Sequence, residues 1–525
     1  MKQSILIFIA ALFLTSCAHQ PSIHYDIIIK GGSIIDGTGA AAYQSDLAIN
    51  DDSIVAIGNL GNASADAIVN ASGKIVSPGF IDLHSHDERN VIRRPDALNN
   101  IRQGVTTILG GNCGGSPIDL EDYFTKVKEQ GTALNVGILV GHNSVRRKIM
   151  NRDNRLATDT EMELMKALVD NAMQAGAFGM SSGLSYIPGA FSPPEEIAEL
   201  AKVVHEYNGF YASHMRSESS NVVESVAETI QVGIETGIPV HISHHKTSGP
   251  MAWGLSKNTL ALIDKHLANG LDVSLDQYTY TASNTNMGVL LPNWSLAGGK
   301  KAFAKRIEDP ETKANIIKQS ANIIKTERAG TELWRIQISE YAKDTSLEGK
   351  NFQQILEQRG LEQTLDNAAE LAIELYLNSG RGIYHTMKDD DVERIMRHPK
   401  TSIASDGRST EWQKGSPHPR NYGTYPRAIA TYVRDKKVLT VEQAINKMTA
   451  MPATRMGLKD RGVIAVGNKA DILVWDFSKI QDHSTFAEPH QYSTGMEYIF
   501  INGVAVVSAS KSTGMRPGLL LKNAP

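Results

Sequence analysis

Between about residue 79 and residue 407, short apolar runs alternate with helical stretches, and this alternation constrains the fold more than any other feature. It marks repeated βα units built round a parallel sheet. Eight runs end near His86, Cys113, His142, Ser181, His214, His244, Tyr278 and Asp406, and nearly every one closes on a side chain that can do chemistry. Eight such units closed into a (β/α)8 TIM-type barrel put all these ends on one rim, where barrel enzymes build their sites. An open doubly wound sheet is the alternative. It finds no support, because no Gly-x-Gly-x-x-Gly opens a helix after the first strand.

The periodicity predicts connecting helices at Asp159 to Ala175, Pro194 to Tyr207 and Val222 to Thr236, the first capped by Thr158 or Asp159. One gap is too long for a connecting helix. Residues 285–381 are helical and charged, as in Lys300 to Gln319 and Asn351 to Arg359, and read as a lid inserted on the catalytic rim. The chain ends have a different texture of short strands and turns. Tyr25 to Lys30, Ser33 to Gly37, Ser53 to Ile57 and Lys74 to Val76 at one end match Gly462 to Ala465, Ala470 to Trp475 and Tyr498 to Gly503 at the other. Residues 24–78 and 458–525 are therefore expected to form one small β-sandwich domain, with the catalytic barrel at 79–457.

With 525 residues, the chain is long enough for one large domain and a smaller one. A membrane-spanning bundle is excluded, since only Ile5 to Leu14 is continuously apolar and that is short for a bilayer. Preceded by Lys2 and followed by Leu14-Thr15-Ser16-Cys17, this segment reads as a lipoprotein signal peptide over residues 1–17. Similarity to bacterial lipoproteins implies cleavage before Cys17, lipidation of its thiol and attachment to a membrane by that lipid alone. Ala18, rather than Asp, after the cysteine implies the outer membrane, facing the periplasm. Cys113 is then left without a disulfide partner. A formal net charge of −4 without basic blocks gives no footprint for nucleic acid, so a small molecule is the expected partner.

The chemistry begins at Asp82-Leu83-His84-Ser85-His86, directly after the apolar run Ile75 to Ile81. Residues two apart on a strand face the same way, so His84 and His86 offer two imidazoles to one space beside Asp82. That suits a divalent metal used as a Lewis acid. Cys113 lies among glycines in Gly110-Gly111-Asn112-Cys113-Gly114-Gly115, where the backbone can approach closely and a thiolate would bind zinc strongly. His214 ends Gly209 to His214. The run Ile238 to His244 is ambiguous, because strand alternation puts His241, Ser243 and His245 on one face and His244 on the other. Asp406 ends Thr401 to Gly407 as a carboxylate placed to move protons beside the metal, though an N-cap is its structural alternative.

Together these segments resemble the D-aminoacylases, the N-acyl-D-amino-acid deacylases of the amidohydrolase superfamily, over nearly the whole chain after the signal. The resemblance rests on Gly79 to His86, Gly111-Asn112-Cys113-Gly114, Ser213 to Arg216, His244-His245-Lys246, Asp276 to Tyr280, Ser405-Asp406-Gly407 and His418-Pro419-Arg420. The pattern Gly467 to Val474 is a broader superfamily motif. The resemblance implies a tight zinc site from Cys113, His214 and His244, which selects His244 over His245. It implies a weaker second site using His84 and His86, Asp406 as the acid/base, and Lys246, Tyr278 and Arg420 as holders of the substrate carboxylate. The implied reaction is zinc-dependent hydrolysis of an N-acyl-D-amino acid to a carboxylate and a free D-amino acid. Where the family often has Ser after the tyrosine pair, this chain has Asn284.

Two related readings share the barrel: a dipeptidase acting on a C-terminal D-residue, and a hydantoinase or dihydroorotase-like cyclic amide hydrolase. The latter relatives usually carry a lysine at the end of the fourth strand, and Gly179-Met180-Ser181-Ser182-Gly183 has none. A binding module on a decayed enzyme fold would not be expected to keep the whole polar set.

Overall fold

A computed structural model describes residues 23–523. Eight parallel strands form its centre: Phe80–Asp82, Val105–Gly110, Asn135–Ile138, Gly179–Gly183, Phe210–His214, Val240–Ile242, Val273–Gln277 and Thr401–Ile403. Each pairs with the next in order, the third through its continuation Val140–Gly141. Backbone bonds close the circle between last and first: Asp406 N–H donates to the His84 carbonyl and His86 N–H to the Gly407 carbonyl, each at 2.8 Å. The result is the (β/α)8 barrel. Its strands are buried on both faces, as a parallel sheet under a helical layer requires; every residue of Val105–Gly110 is buried.

Local chemistry sets the helix limits. Helix Asp159–Ala175 starts with a capping box between Thr158 and Glu161 and ends at Gly176 with φ +110°. Helix Val222–Thr236 also has the expected span. The expected helix over Lys300 to Gln319 is instead two, Lys300–Arg306 and Pro310–Ile323. Pro310 cannot continue a helix, and Asp309 caps the second one by accepting from Thr312 N–H at 2.8 Å.

Strands from both chain ends share one nine-stranded sheet. The runs Tyr25 to Lys30 and Ser33 to Gly37, read as two strands, are the single strand His24–Ile34, because Gly31-Gly32 makes a bulge and not a turn. This strand forks the sheet, pairing with Ser64–Asn70 at one end and Ile75–Pro78 at the other. The sheet folds over a core that includes Ile29, Leu47, Val76, Ile472 and Phe500. Two expectations for this region need correction. Gly462 to Ala465 is a loop, not a strand, and residues 518–523 leave the sheet to run along the barrel, where Leu521 N–H donates to the Val136 carbonyl at 2.9 Å.

The insertion has its own small sheet, in which Ser283–Asn286 and Ile336–Glu340 flank Arg381–Tyr384 antiparallel. It also has its own core, with Met287, Phe303, Ile316 and Leu371. Among the described residues no helix is long and apolar enough to cross a membrane. The expected signal peptide and Cys17 lie outside the described residues.

Candidate metal centre

The strand ends deliver their side chains to one point on the rim. Two groups of ligand atoms, Cys113 with His214 and His244, and Cys113 with His84 and His86, each lie within 4.8 Å of one another. Cys113 Sγ is 3.3 Å from His84 Nε2 and from His244 Nε2, and 3.5 Å from His214 Nδ1. His214 Nδ1 and His244 Nε2 are 2.7 Å apart.

Three of the four imidazoles have their other nitrogen engaged. His214 Nε2 lies 2.7 Å from Ser185 Oγ, His244 Nδ1 lies 2.9 Å from Glu218 Oε1, and His84 Nδ1 lies 3.3 Å from Asp276 Oδ2. Lys246 Nζ also lies 2.9 Å from His244 Nδ1. With His84 Nδ1 and His214 Nε2 donating, the lone pairs of His84 Nε2 and His214 Nδ1 face the shared space. Such outer partners fix the ring and the tautomer of a metal-ligating histidine. Asp276 does more, accepting from His241 Nε2 at 2.7 Å and from the His244 backbone N–H at 2.8 Å.

Asp406 faces the same space, with Oδ1 3.1 Å from His86 Nε2 and Oδ2 accepting from Arg420 at 2.7 Å. Arg420 stacks over the Tyr278 ring at 4.9 Å, and Lys246 lies 5.6 Å from that ring. Above these groups opens a cavity of about 440 Å³, roofed by insertion residues that include Asn284, Thr285, Arg328 and Arg381.

The amidohydrolase family profile matches residues 67–507. The chain belongs to the amidohydrolase family. Within it, the chain is 34% identical to a D-aminoacylase of Alcaligenes xylosoxydans xylosoxydans, covering 95% of this chain and 97% of that one. An N-acyl-D-aspartate deacylase of the same organism is 33% identical over 94% and 95%. Among solved structures, the N-acyl-D-glutamate deacylase of Bordetella bronchiseptica, complexed with zinc and a phosphonate inhibitor, superposes with a TM-score of 0.81 at 34% identity, covering 95% of this chain and all of that one.

The donor set of this amidohydrolase fits zinc: thiolate and imidazole ligands, with outer carboxylates on two of the rings. Burial pulls His214 well below and His84 below the ordinary histidine range, so both rings are neutral and free to ligate. Burial, and then the carboxylates of Asp406 and Glu218, push the Cys113 thiol well up. A divalent cation reverses that balance by stabilising the thiolate. Burial also acts to raise Asp406, but the Arg420 guanidinium and then His244 outweigh it and hold this carboxylate well below its usual range.

All five expected ligands and Asp406 thus converge. Of the expected carboxylate holders, Arg420 and Lys246 line the cavity and Tyr278 lies beneath them. Lys246 is already ion-paired with Glu218. His245 is buried away from the site against Thr259, 2.9 Å from its Oγ1. Asp82 is no ligand either: it accepts from Ser405 N–H at 3.0 Å and from the Ser405 hydroxyl, tying the eighth strand to the first. Sequence reasoning missed Glu218 and Ser185, which stand on loops beyond the strand ends where no periodicity points inward. Asp276 was visible as a motif residue but without a role.

Proposed function

We propose that this amidohydrolase is a zinc-dependent N-acyl-D-amino-acid deacylase, cleaving the amide to a carboxylate and a free D-amino acid. The observation that carries the reading is Asp406, held ionised by Arg420 and placed 3.1 Å from His86 Nε2 beside the converging thiol and imidazoles. Cys113, His214 and His244 would hold a zinc ion, which would supply Lewis acidity for the acyl carbonyl and for water. Asp406 takes the proton from the attacking water at Oδ1 and then delivers it to the departing amine nitrogen. Arg420 Nε and the Tyr278 hydroxyl are buried without a partner among the described residues, a state that a bound substrate carboxylate relieves. Lys246 adds charge to that grip while shared with Glu218.

Gripping the carboxylate on one side of the zinc allows only one hand of the α-carbon to turn its side chain into the cavity, and likeness to the relatives makes that hand D. A screen of N-acetyl D- and L-amino acids, with dipeptides and hydantoins beside them, tests this. The expected result is hydrolysis of the D series; equal rates on both hands, or turnover of hydantoins alone, would sink it.

The box Leu14 to Cys17 supports a further reading, export with a lipid on Cys17 and residence at the outer membrane facing the periplasm.

A further inference from the structure

The cavity is lined by more positive charge than its own carboxylates balance. Lys246 pairs with Glu218, Arg420 with Asp406, and Arg408 with Glu340. Arg381 and Arg328, which also line it, form no ion pair among the described residues, and the Nε of each is buried without a partner. Arg381 is the more informative. In strand pairing it stands opposite Glu340, the nearest carboxylate in register, yet that carboxylate is given to Arg408. Among the described residues its guanidinium makes one hydrogen bond, a long one of 3.4 Å, to Asn284 Oδ1. Burial pulls its guanidinium down to about 10, which is the cost of holding a cation in a recess without a counter-ion. Arg328, which also lines the cavity, lies over the Tyr384 ring at 5.8 Å and adds to the same field.

Asn284 fixes where Arg381 stands relative to the carboxylate grip. Its backbone carbonyl accepts from Arg420 and its side-chain oxygen from Arg381, each at 3.4 Å, so the two guanidiniums flank a single residue. That spacing suits a short dicarboxylate, with one acid group on Arg420 and the other on Arg381. We propose that Arg381 binds the side-chain carboxylate of the substrate, so that this chain acts on N-acyl-D-amino acids with an acidic side chain. The inference rests on the deacylase reading and deepens it.

The test uses the zinc-loaded full chain and kcat/KM for N-acetyl-D-glutamate, N-acetyl-D-glutamine and N-acetyl-D-methionine. The wild type should favour glutamate over its neutral isostere glutamine by at least about thirtyfold, the lower end for a buried charge pair. Arg381→Met should lose about a hundredfold on glutamate and only a few-fold on the neutral substrates, and Arg381→Lys should restore part of the loss. Zinc content and unfolding midpoint report whether the variants are intact. Equal loss on all three substrates would overturn the proposal, because that is the result of gripping the α-carboxylate or of supporting the insertion. Should Arg381→Met fail to hold zinc, the wild-type preference decides: parity between glutamate and glutamine overturns the proposal. Failure to hydrolyse any N-acetyl-D-amino acid strikes the deacylase reading instead.

Discussion

Cys113, His244 and Asp406 share an uncommon backbone state, with φ of +52°, +36° and +48°. L-residues rarely adopt it, and strain of this kind gathers at functional sites. Here it lets a chain leaving its strand turn the next side chain over the rim. Asp406→Asn keeps the shape but not the base, so turnover should fall by about a hundred- to ten-thousand-fold with zinc retained. Near-normal turnover in the metal-loaded variant would remove Asp406 from the proton path. The same backbone turn explains why spacing left His244 and His245 unresolved. Alternation holds only while a strand continues; this one stops at Ile242, and His245 goes into the core. Burial, and then Lys246, pull His245 down to about 3, below the unfolded value near 6.5. Below pH 6.5 the unfolded chain therefore binds a proton that the folded chain refuses until about pH 3. Stability should fall across that window by up to about 1.4 kcal/mol per pH unit from this residue. Denaturant midpoints between pH 7.5 and 5 check it: His245→Gln should flatten the slope, and an unchanged slope would show that His245 does not contribute.

At the scale of elements, the loop after the second strand shows why glycines flank the thiol. A Cβ on Gly111, whose φ is +77°, would meet the Leu139 carbonyl oxygen at 2.1 Å, and that oxygen cannot give way. Gly111→Ala should displace Cys113 and lower bound zinc, which metal analysis of the folded protein reads directly; full zinc occupancy would show that the loop adapts. Helix Asp159–Ala175 offers a contrast away from the site. Thr158→Ala breaks its capping box and should cost about 1 kcal/mol of stability without changing zinc content. Elements with a strong local signal were legible in the sequence, as the unchanged spans of Asp159–Ala175 and Val222–Thr236 show. The β region was less so. Gly31-Gly32 reads locally as a turn, but a Cβ on Gly32 would lie 2.4 Å from Val76 Cγ2, so the pair marks a close approach between strands. Such an approach depends on residues far along the chain, which no local pattern displays.

Over the whole molecule, the apolar alternation was enough to place eight strand ends on one rim, whereas the ligand set, with His244 chosen over His245, followed from the resemblance to the D-aminoacylases. The alternation could not show the charge pairing inside the cavity, because Glu218, Glu340 and Asn284 reach the site from loops and from the insertion. The proposed anchor belongs to this scale too. Cys17→Ser should abolish processing and release the protein from membranes; unchanged mass and membrane fractionation would make the cysteine box accidental. The most direct measurement follows hydrolysis of N-acetyl-D-glutamate against bound zinc as chelator-stripped protein is reloaded. The rate of the wild type should rise from near zero in step with the ion held by Cys113, His214 and His244, and Cys113→Ala should stay near zero under the same reloading. A full rate in stripped protein, or in Cys113→Ala, would contradict zinc-dependent deacylation at this centre.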